Sequence, residues 1–485
     1  MSGIRRSIAF SFAERYGSHA LSLLSTVILS RLLSPKDFGI FAIAMAFVAL
    51  LEVFRDFGVG TYIVQEKEVS RRRIQTAFTI TLGLSLICAA GMLLVTEAVT
   101  AFYGEAGLRQ LMPLLAANFL LLPFSMPSMN LLRRDLAFDM IAAINLAAAV
   151  VSLVVVVVLA RSGHGVLSLG WAVLAGSVTR TVAANLIEPC FWAYRLALQE
   201  WRRILAFGSY STATAVINIF HDQLPQLIMG RWLGLPAVGL FSRAVGLCQL
   251  PDRLVISVLS PVILPALSEQ ARRGMDLKPA YLRALTYMSA LQWPVLICLA
   301  FFAEPVVMVL LGSQWMEVAP LVRIMALAAL AMFPAFMTYP TLVALGQVRD
   351  TLSMSLISLP PSILFTVLAC PLGVQAVAAA QFINAPLQIL VAVSFIRKRT
   401  GIRWGDIARA VQSSVVVTLC ATAVPAAVVA MHGGFDHTSI LAAVFAAASA
   451  AAGWLVGVTV TNHPLAAEIR SAWQFVGRRL RRSAP

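Results

Sequence analysis

The chain has 485 residues, 59% of them hydrophobic and 12% charged, with a formal net charge of +15. A soluble globular domain carries roughly 25% charged residues, so no water-soluble core accommodates this much apolar surface and lipid must cover it. The positive balance lies in loops rather than in a basic soluble domain, which excludes a nucleic-acid partner and points to membrane topology.

With a window of about 20 residues, the apolar stretches fall in chain order at 8–30, 38–62, 74–96, 110–132, 139–160, 167–192, 206–229, 237–267, 282–311, 320–345, 351–370, 373–396, 407–430 and 438–460. The expected fold is therefore an all-α integral membrane protein with about fourteen transmembrane helices. Met1 to Arg6 is short and basic, and Ser7 to Leu33 is too long and too polar for the apolar region of a signal peptide. It reads as an uncleaved first helix. The six cysteines sit in apolar stretches without close spacing, forming neither a metal motif nor a disulfide set. No phosphate-binding GxxxxGK motif is present, so energy comes from H+ or Na+, from the membrane potential, or from the substrate's own gradient.

Charge segregation orients these spans. With the N-terminus inside, 26 of the 37 lysines and arginines fall on inner segments, and the outer segments hold only Arg31, Lys36, Arg109, Arg161 and Arg231. An error of one span would scramble that alternation, so both termini are expected in the cytoplasm. The tail Leu465 to Arg482 is basic and carries Trp473 and Phe475, which suits a segment lying on the inner leaflet.

The chain also resembles itself. Ile28 to Phe41 reads ILSRLLSPKDFGIF and Ile228 to Phe241 reads IMGRWLGLPAVGLF, with Ile28/Ile228, Arg31/Arg231, Leu33/Leu233, Gly39/Gly239 and Phe41/Phe241 identical at an offset of 200. The offset covers an even number of helices, so both copies keep one orientation, as in parallel-repeat transporters. The expected organisation is two pseudo-symmetric six-helix lobes at 1–200 and 201–400, a helix pair at 401–462 and a basic cytoplasmic tail at 463–485.

Ionisable residues stand inside these spans. A charge at membrane depth costs at least about 2.5–3.5 kcal/mol on insertion scales, so each should face a protein interior or a watery cavity. Among them are Glu14, Arg15, Glu52, Arg55, Asp56, Arg180, His221, Asp222, Arg243, Asp252 and Arg253.

The first two spans, SRLLSPKDFGIFAIAMAF and DFGVGTYIVQ, resemble the N-terminal region of polysaccharide-biosynthesis flippases of the multidrug/oligosaccharidyl-lipid/polysaccharide exporter superfamily. Arg31, Leu33, Pro35, Phe38, Gly39 and Phe41 carry the first match, and Asp56, Phe57, Gly58, Gly60 and Gln65 the second. The resemblance implies a transporter rather than an enzyme. It implies movement of an oligosaccharide linked to undecaprenyl diphosphate from the inner to the outer leaflet of a bacterial cytoplasmic membrane, by alternating access, for cell-surface polysaccharide synthesis. A polysaccharide polymerase or synthase would work with it. The family has no shared catalytic signature, so residue roles follow from chemistry alone.

A diphosphate-linked glycan needs cations for its phosphates and polar groups for its sugars. Arginine matches phosphate geometry and stays charged, which makes Arg15, Arg55, Arg180, Arg243 and Arg253 the candidate substrate contacts. For Arg15 and Arg55 the alternative is a structural cluster with Glu14 and Asp56. Glu14, Glu52, Asp56, His221, Asp222 and Asp252 are candidates for ion coupling or gating, against simple pairing with a nearby cation. Asn118, Asn130, Asn145, Asn185, Asn218, Gln226, Gln381 and Asn384 suit either a sugar path or hydrogen bonding between helices. No catalytic residue, cofactor or metal is expected, and membrane lipids are the surrounding partners. Two other activities fit a polytopic chain: a cation-coupled multidrug exporter, which favours carboxylates over arginines in its cavity, and a membrane-embedded polysaccharide polymerase, which calls for a large outer loop.

Overall fold

In lipid a backbone N–H or C=O has no water to bond, so a spanning chain must close its hydrogen bonds within itself. The computed structural model, which describes residues 17, 20–56, 59, 70–199, 201–252, 263, 267–435, 439–467 and 470, is helical accordingly. The helices are α1 (Ala20–Leu32), α2 (Pro35–Asp56), α3 (Arg71–Tyr103), α4 (Ala106–Arg134), α5 (Phe138–Arg161), α6 (Leu167–Ile187), α7 (Trp201–Trp232) and α8 (Leu235–Cys248). They continue with α9 (Lys278–Phe301), α10 (Ala303–Leu310), α11 (Val318–Ala329), α12 (Ala335–Ala344), α13 (Val348–Ala369), α14 (Val374–Ala379), α15 (Gln381–Thr400), α16 (Trp404–Met431) and α17 (Ile440–Val460).

Among the described residues, eleven helical stretches are long and apolar enough to span a bilayer. The three expected spans outside that set overlap α1, α7 and the described part of α8, which do not meet that measure. The ninth expected span, 282–311, is not one helix: it breaks after Phe301 and restarts at Ala303. The tenth is interrupted by a 3-10 turn at Leu330–Met332, just before Pro334, where a missing N–H prevents a regular ladder. Helix ends follow local chemistry. The hydroxyl of Ser70 accepts from the N–H of Arg73, and Gly104, at φ 67°, closes α3 in the left-handed region.

The chain packs as two compact units. The first holds residues 1–242, 310–314 and 366–374, and the second the remainder. In the first, α3 packs on α4, α6 on both α4 and α5, and α2 on α7. In the second, α16 packs on α9 and α17 on α16. Gly453 and Gly457 lie one turn apart on α17, directly over Cys420 and the backbone of Val417. Without a hydrophobic drive between helices in lipid, small residues of this kind permit the close approach that holds a pair together.

The repeated segment meets its copy within the first unit. Helices α2 and α8 begin at Pro35 and Leu235, which stand at the same offset as the sequence repeat. Gly39 lies against the carbonyl of Leu235, and Gly239 against the carbonyl of Pro35. The contact is reciprocal, residue for residue, and leaves no room for a side chain at either glycine.

Candidate functional site

Four helices of the first unit line a half-open cavity of about 300 Å³. Each offers one face at helical spacing: Met45, Val48 and Glu52 from α2; Leu115, Asn118 and Leu122 from α4; Asn145, Ala148, Ala149 and Ser152 from α5; Val173, Gly176, Ser177 and Arg180 from α6. Positions i, i+3, i+4 and i+7 share a helix face, so these residues converge because their helices do. The small side chains on α5 and α6 make the space. The hydroxyl of Ser152 donates to the carbonyl of Ala172 at 2.8 Å and so joins the two helices.

The polar lining is unequally satisfied. Glu52 has Nη1 of Arg55 at 3.3 Å. Arg180 interacts with Glu52 and Arg133 only through the longer-range field. Within the described residues it makes no ion pair within 4 Å, and its Nε has no hydrogen-bond partner. Asn118 is buried and its Oδ1 likewise lacks a partner. The side chains of Asn145 and Ser177 make no protein hydrogen bond among the described residues either.

Other candidates are engaged elsewhere. Arg55 is 8% exposed. It donates to Oδ1 of Asp56 from Nη2 at 2.6 Å and from Nε at 3.2 Å, and its guanidinium lies 6.0 Å from the Phe119 ring centre. These pairs join Arg55 to Asp56 and Glu52 within α2. His221 and Asp222 are neighbours on α7, with Nδ1 and Oδ1 3.6 Å apart and the carboxylate mostly exposed. In the second unit, Arg243 is half-buried on α8. Asp252 accepts from Nε2 of Gln292 at 2.6 Å, which ties it to α9. Glu14, Arg15 and Arg253 lie outside the described residues, as do Phe57, Gly58, Gly60, Gln65, Trp473 and Phe475.

The asparagines separate into two kinds. Asn185 is bonded on every side: Nδ2 donates to the carbonyls of Phe124 and Thr181, both at 2.9 Å, and Oδ1 accepts from the Tyr194 hydroxyl at 2.5 Å. It holds helices together, whereas Asn118 and Asn145 face the cavity. Sequence reasoning did not single out Ser177, Ser152 or Gly176. The available signal was the i, i+3, i+4, i+7 row that joins Val173 to Arg180 on α6.

The profile of a family described as "Polysaccharide biosynthesis protein" matches residues 28–320, more than half of the chain. The chain belongs to this family. Over 350 residues it is 24% identical to the succinoglycan biosynthesis transport protein ExoT of Rhizobium meliloti, covering 71% of this chain and 70% of that protein. It is 22% identical over 312 residues to the lipopolysaccharide biosynthesis protein WzxC of Escherichia coli, covering 64% of this chain and 63% of that protein, just under two thirds. The fold is similar to that of the lipid II flippase MurJ in an inward closed conformation, with TM-score 0.75 at 14% identity over 94% of this chain and 98% of that one. It also resembles an inward-facing multidrug resistance transporter of the MATE family, with TM-score 0.65 at 15% identity over 79% and 94%.

Proposed function

We propose that this chain is a flippase. It carries an oligosaccharide linked to undecaprenyl diphosphate from the cytoplasmic to the periplasmic leaflet by alternating access, and it does so for cell-surface polysaccharide synthesis. The protein sits in a bacterial inner membrane with both termini in the cytoplasm, and hands its substrate on to polymerase or synthase machinery. Membership of the polysaccharide biosynthesis family supports this reading. The observation in the molecule that carries it is the polar cavity of the first unit. Arg180, Asn118, Asn145 and Ser177 stand in spanning helices without a hydrogen bond to protein among the described residues. Polar groups at this depth are retained where something polar passes or binds.

Of the arginines, Arg180 is available to substrate, Arg243 and Arg253 are further candidates, and Arg55 chiefly braces α2. A cation-coupled drug exporter fits the cavity less well, because its unpaired charge is a guanidinium and its carboxylate already has a cation beside it.

The test uses purified protein in liposomes containing a fluorescent undecaprenyl-diphosphate oligosaccharide, with an external quencher reporting the leaflet. Protein-dependent equilibration of the label is expected. Absence of flipping under every imposed ion gradient and potential would refute the substrate class.

A further inference from the structure

We infer that the cavity between α2, α4, α5 and α6 is a sugar subsite: it takes a neutral, hydroxyl-bearing ring of the glycan, and neither a metal ion nor the diphosphate. The inference rests on the flippase reading and names which part of that substrate this site holds.

The donors and acceptors left over decide the occupant. Arg180 supplies only donors, whereas an asparagine amide and a serine hydroxyl each supply a donor and an acceptor. None of Asn118, Asn145, Ser177 or Arg180 is hydrogen-bonded to protein among the described residues. A bare cation would find amide oxygens, but it would sit beside an unpaired guanidinium, and Glu52 already has Arg55 at 3.3 Å. A phosphate accepts only: it would take up Arg180 and the amide and hydroxyl donors but leave Oδ1 of Asn118 and Asn145 without a donor. A hydroxyl both donates and accepts, so a ring of hydroxyls answers the whole set. An amide also presents its donor and acceptor side by side, which matches two neighbouring ring hydroxyls.

Shape agrees with this chemistry. Met45, Val48, Leu115 and Leu122 give apolar walls for the C–H faces of a pyranose. A sugar ring seated there displaces water from the cavity while reproducing its hydrogen bonds. The cavity's size also lies at the lower edge of the ~300–1,000 Å³ range of small-molecule sites.

The experiment measures equilibrium binding to the full-length protein in nanodiscs with two probes: undecaprenyl diphosphate carrying a neutral tetrasaccharide, and undecaprenyl diphosphate without sugar. The variant Asn118→Ala/Asn145→Ala changes no charge, and a thermal melt checks that it is folded. Binding of the glycosylated probe should weaken about tenfold or more, with the sugar-free probe unaffected. Equal weakening of both probes would overturn the inference in favour of a diphosphate site. Unchanged binding of both would overturn it in favour of a water-filled cavity, while wild-type binding left the flippase reading standing. Failure of the wild type to bind either probe would remove that reading, and the inference with it. If the double variant does not fold, Ser177→Ala removes a single hydroxyl, and a selective loss of a few-fold for the glycosylated probe replaces the larger one.

Discussion

Replacing Gly39 by alanine would put a methyl carbon 1.8 Å from the carbonyl oxygen of Leu235 and 2.6 Å from its carbonyl carbon. Replacing Gly239 would put one 1.9 Å from the carbonyl oxygen of Pro35. Ordinary contact starts near 3.4 Å, so either alanine requires α2 and α8 to part by roughly 1.5 Å, a distance at which most dispersion attraction across the crossing is lost. The obstructing atoms are backbone, and no side-chain rotation relieves them. Overpacking of a tight contact costs about 1–3 kcal/mol, and a backbone obstruction belongs at the upper end of that range. Denaturant unfolding in detergent micelles, followed by tryptophan fluorescence, measures it.

The reciprocity of the crossing makes a sharper claim. Once one alanine has opened the gap, the second finds most of the space it needs. The double variant should therefore cost well below the sum of the singles, with a coupling of about 1–2 kcal/mol. Gly91→Ala is the control: it lies on α3 with nothing within 4 Å of the new carbon, and helix propensity favours alanine there by up to about 1 kcal/mol. Strict additivity, or a Gly39 variant that behaves like the Gly91 control, would refute the reciprocal crossing.

Three further outcomes are expected from the same unfolding measurement. Arg55→Met should cost about 2–3 kcal/mol, because it strips the cation from Glu52 beside the cavity, whereas Asp56→Asn at the exposed end of that cluster should cost under about 1 kcal/mol. Asn185→Ala should cost about 1–3 kcal/mol by removing the bonds that tie Phe124, Thr181 and Tyr194 together, and Asn118→Ala should cost close to nothing, since Asn118 makes no hydrogen bond to protein among the described residues. His463 is 1% exposed; its Nδ1 accepts from the N–H of Leu465 at 3.2 Å, so Nε2 carries the proton facing Ser414 Oγ at 3.3 Å. Burial holds its pKa below the ordinary 6.5. The folded state then resists the proton that the unfolded state accepts, so this contribution is complete above about pH 6.5 and is lost as pH falls toward the depressed folded value. Melting at about pH 5.5 should be lower than at pH 7.5 by an amount that shrinks in His463→Asn.

Much of the fold was legible because hydropathy and charge segregation are summed over whole helices. Eleven of the expected spans coincide with helices that meet the length and composition needed to cross a bilayer. Finer structure depends on single residues, and there the reading was less complete. The break between Phe301 and Ala303 is followed directly by Glu304 and Pro305, which a hydropathy window averages into their apolar surroundings. The repeat around Gly39 and Gly239 was visible as identities at a constant offset. That the two copies touch, backbone to backbone, depends on how α2 meets α8, and no periodicity encodes that.

The candidate site reverses the weight that charge alone assigns. Arg55 and Arg180 are both guanidiniums in apolar spans, but Arg55 has Glu52 and Asp56 beside it in the sequence and Arg180 has no carboxylate nearby. Their difference lies in neighbours: Asp56 and Glu52 are within reach of Arg55, and no carboxylate stands within 4 Å of Arg180 among the described residues. Asn185 and Asn118 are indistinguishable until Phe124, Thr181 and Tyr194 are seen to take up every bond of Asn185. A membrane helix retains a polar residue for one of two reasons, to join another helix or to meet something that moves. The bonding state of the side chain in the folded protein tells the two apart. By that criterion the neutral amides of the cavity, Asn118 and Asn145, carry more of the case for a glycan path than the arginines that first suggested it.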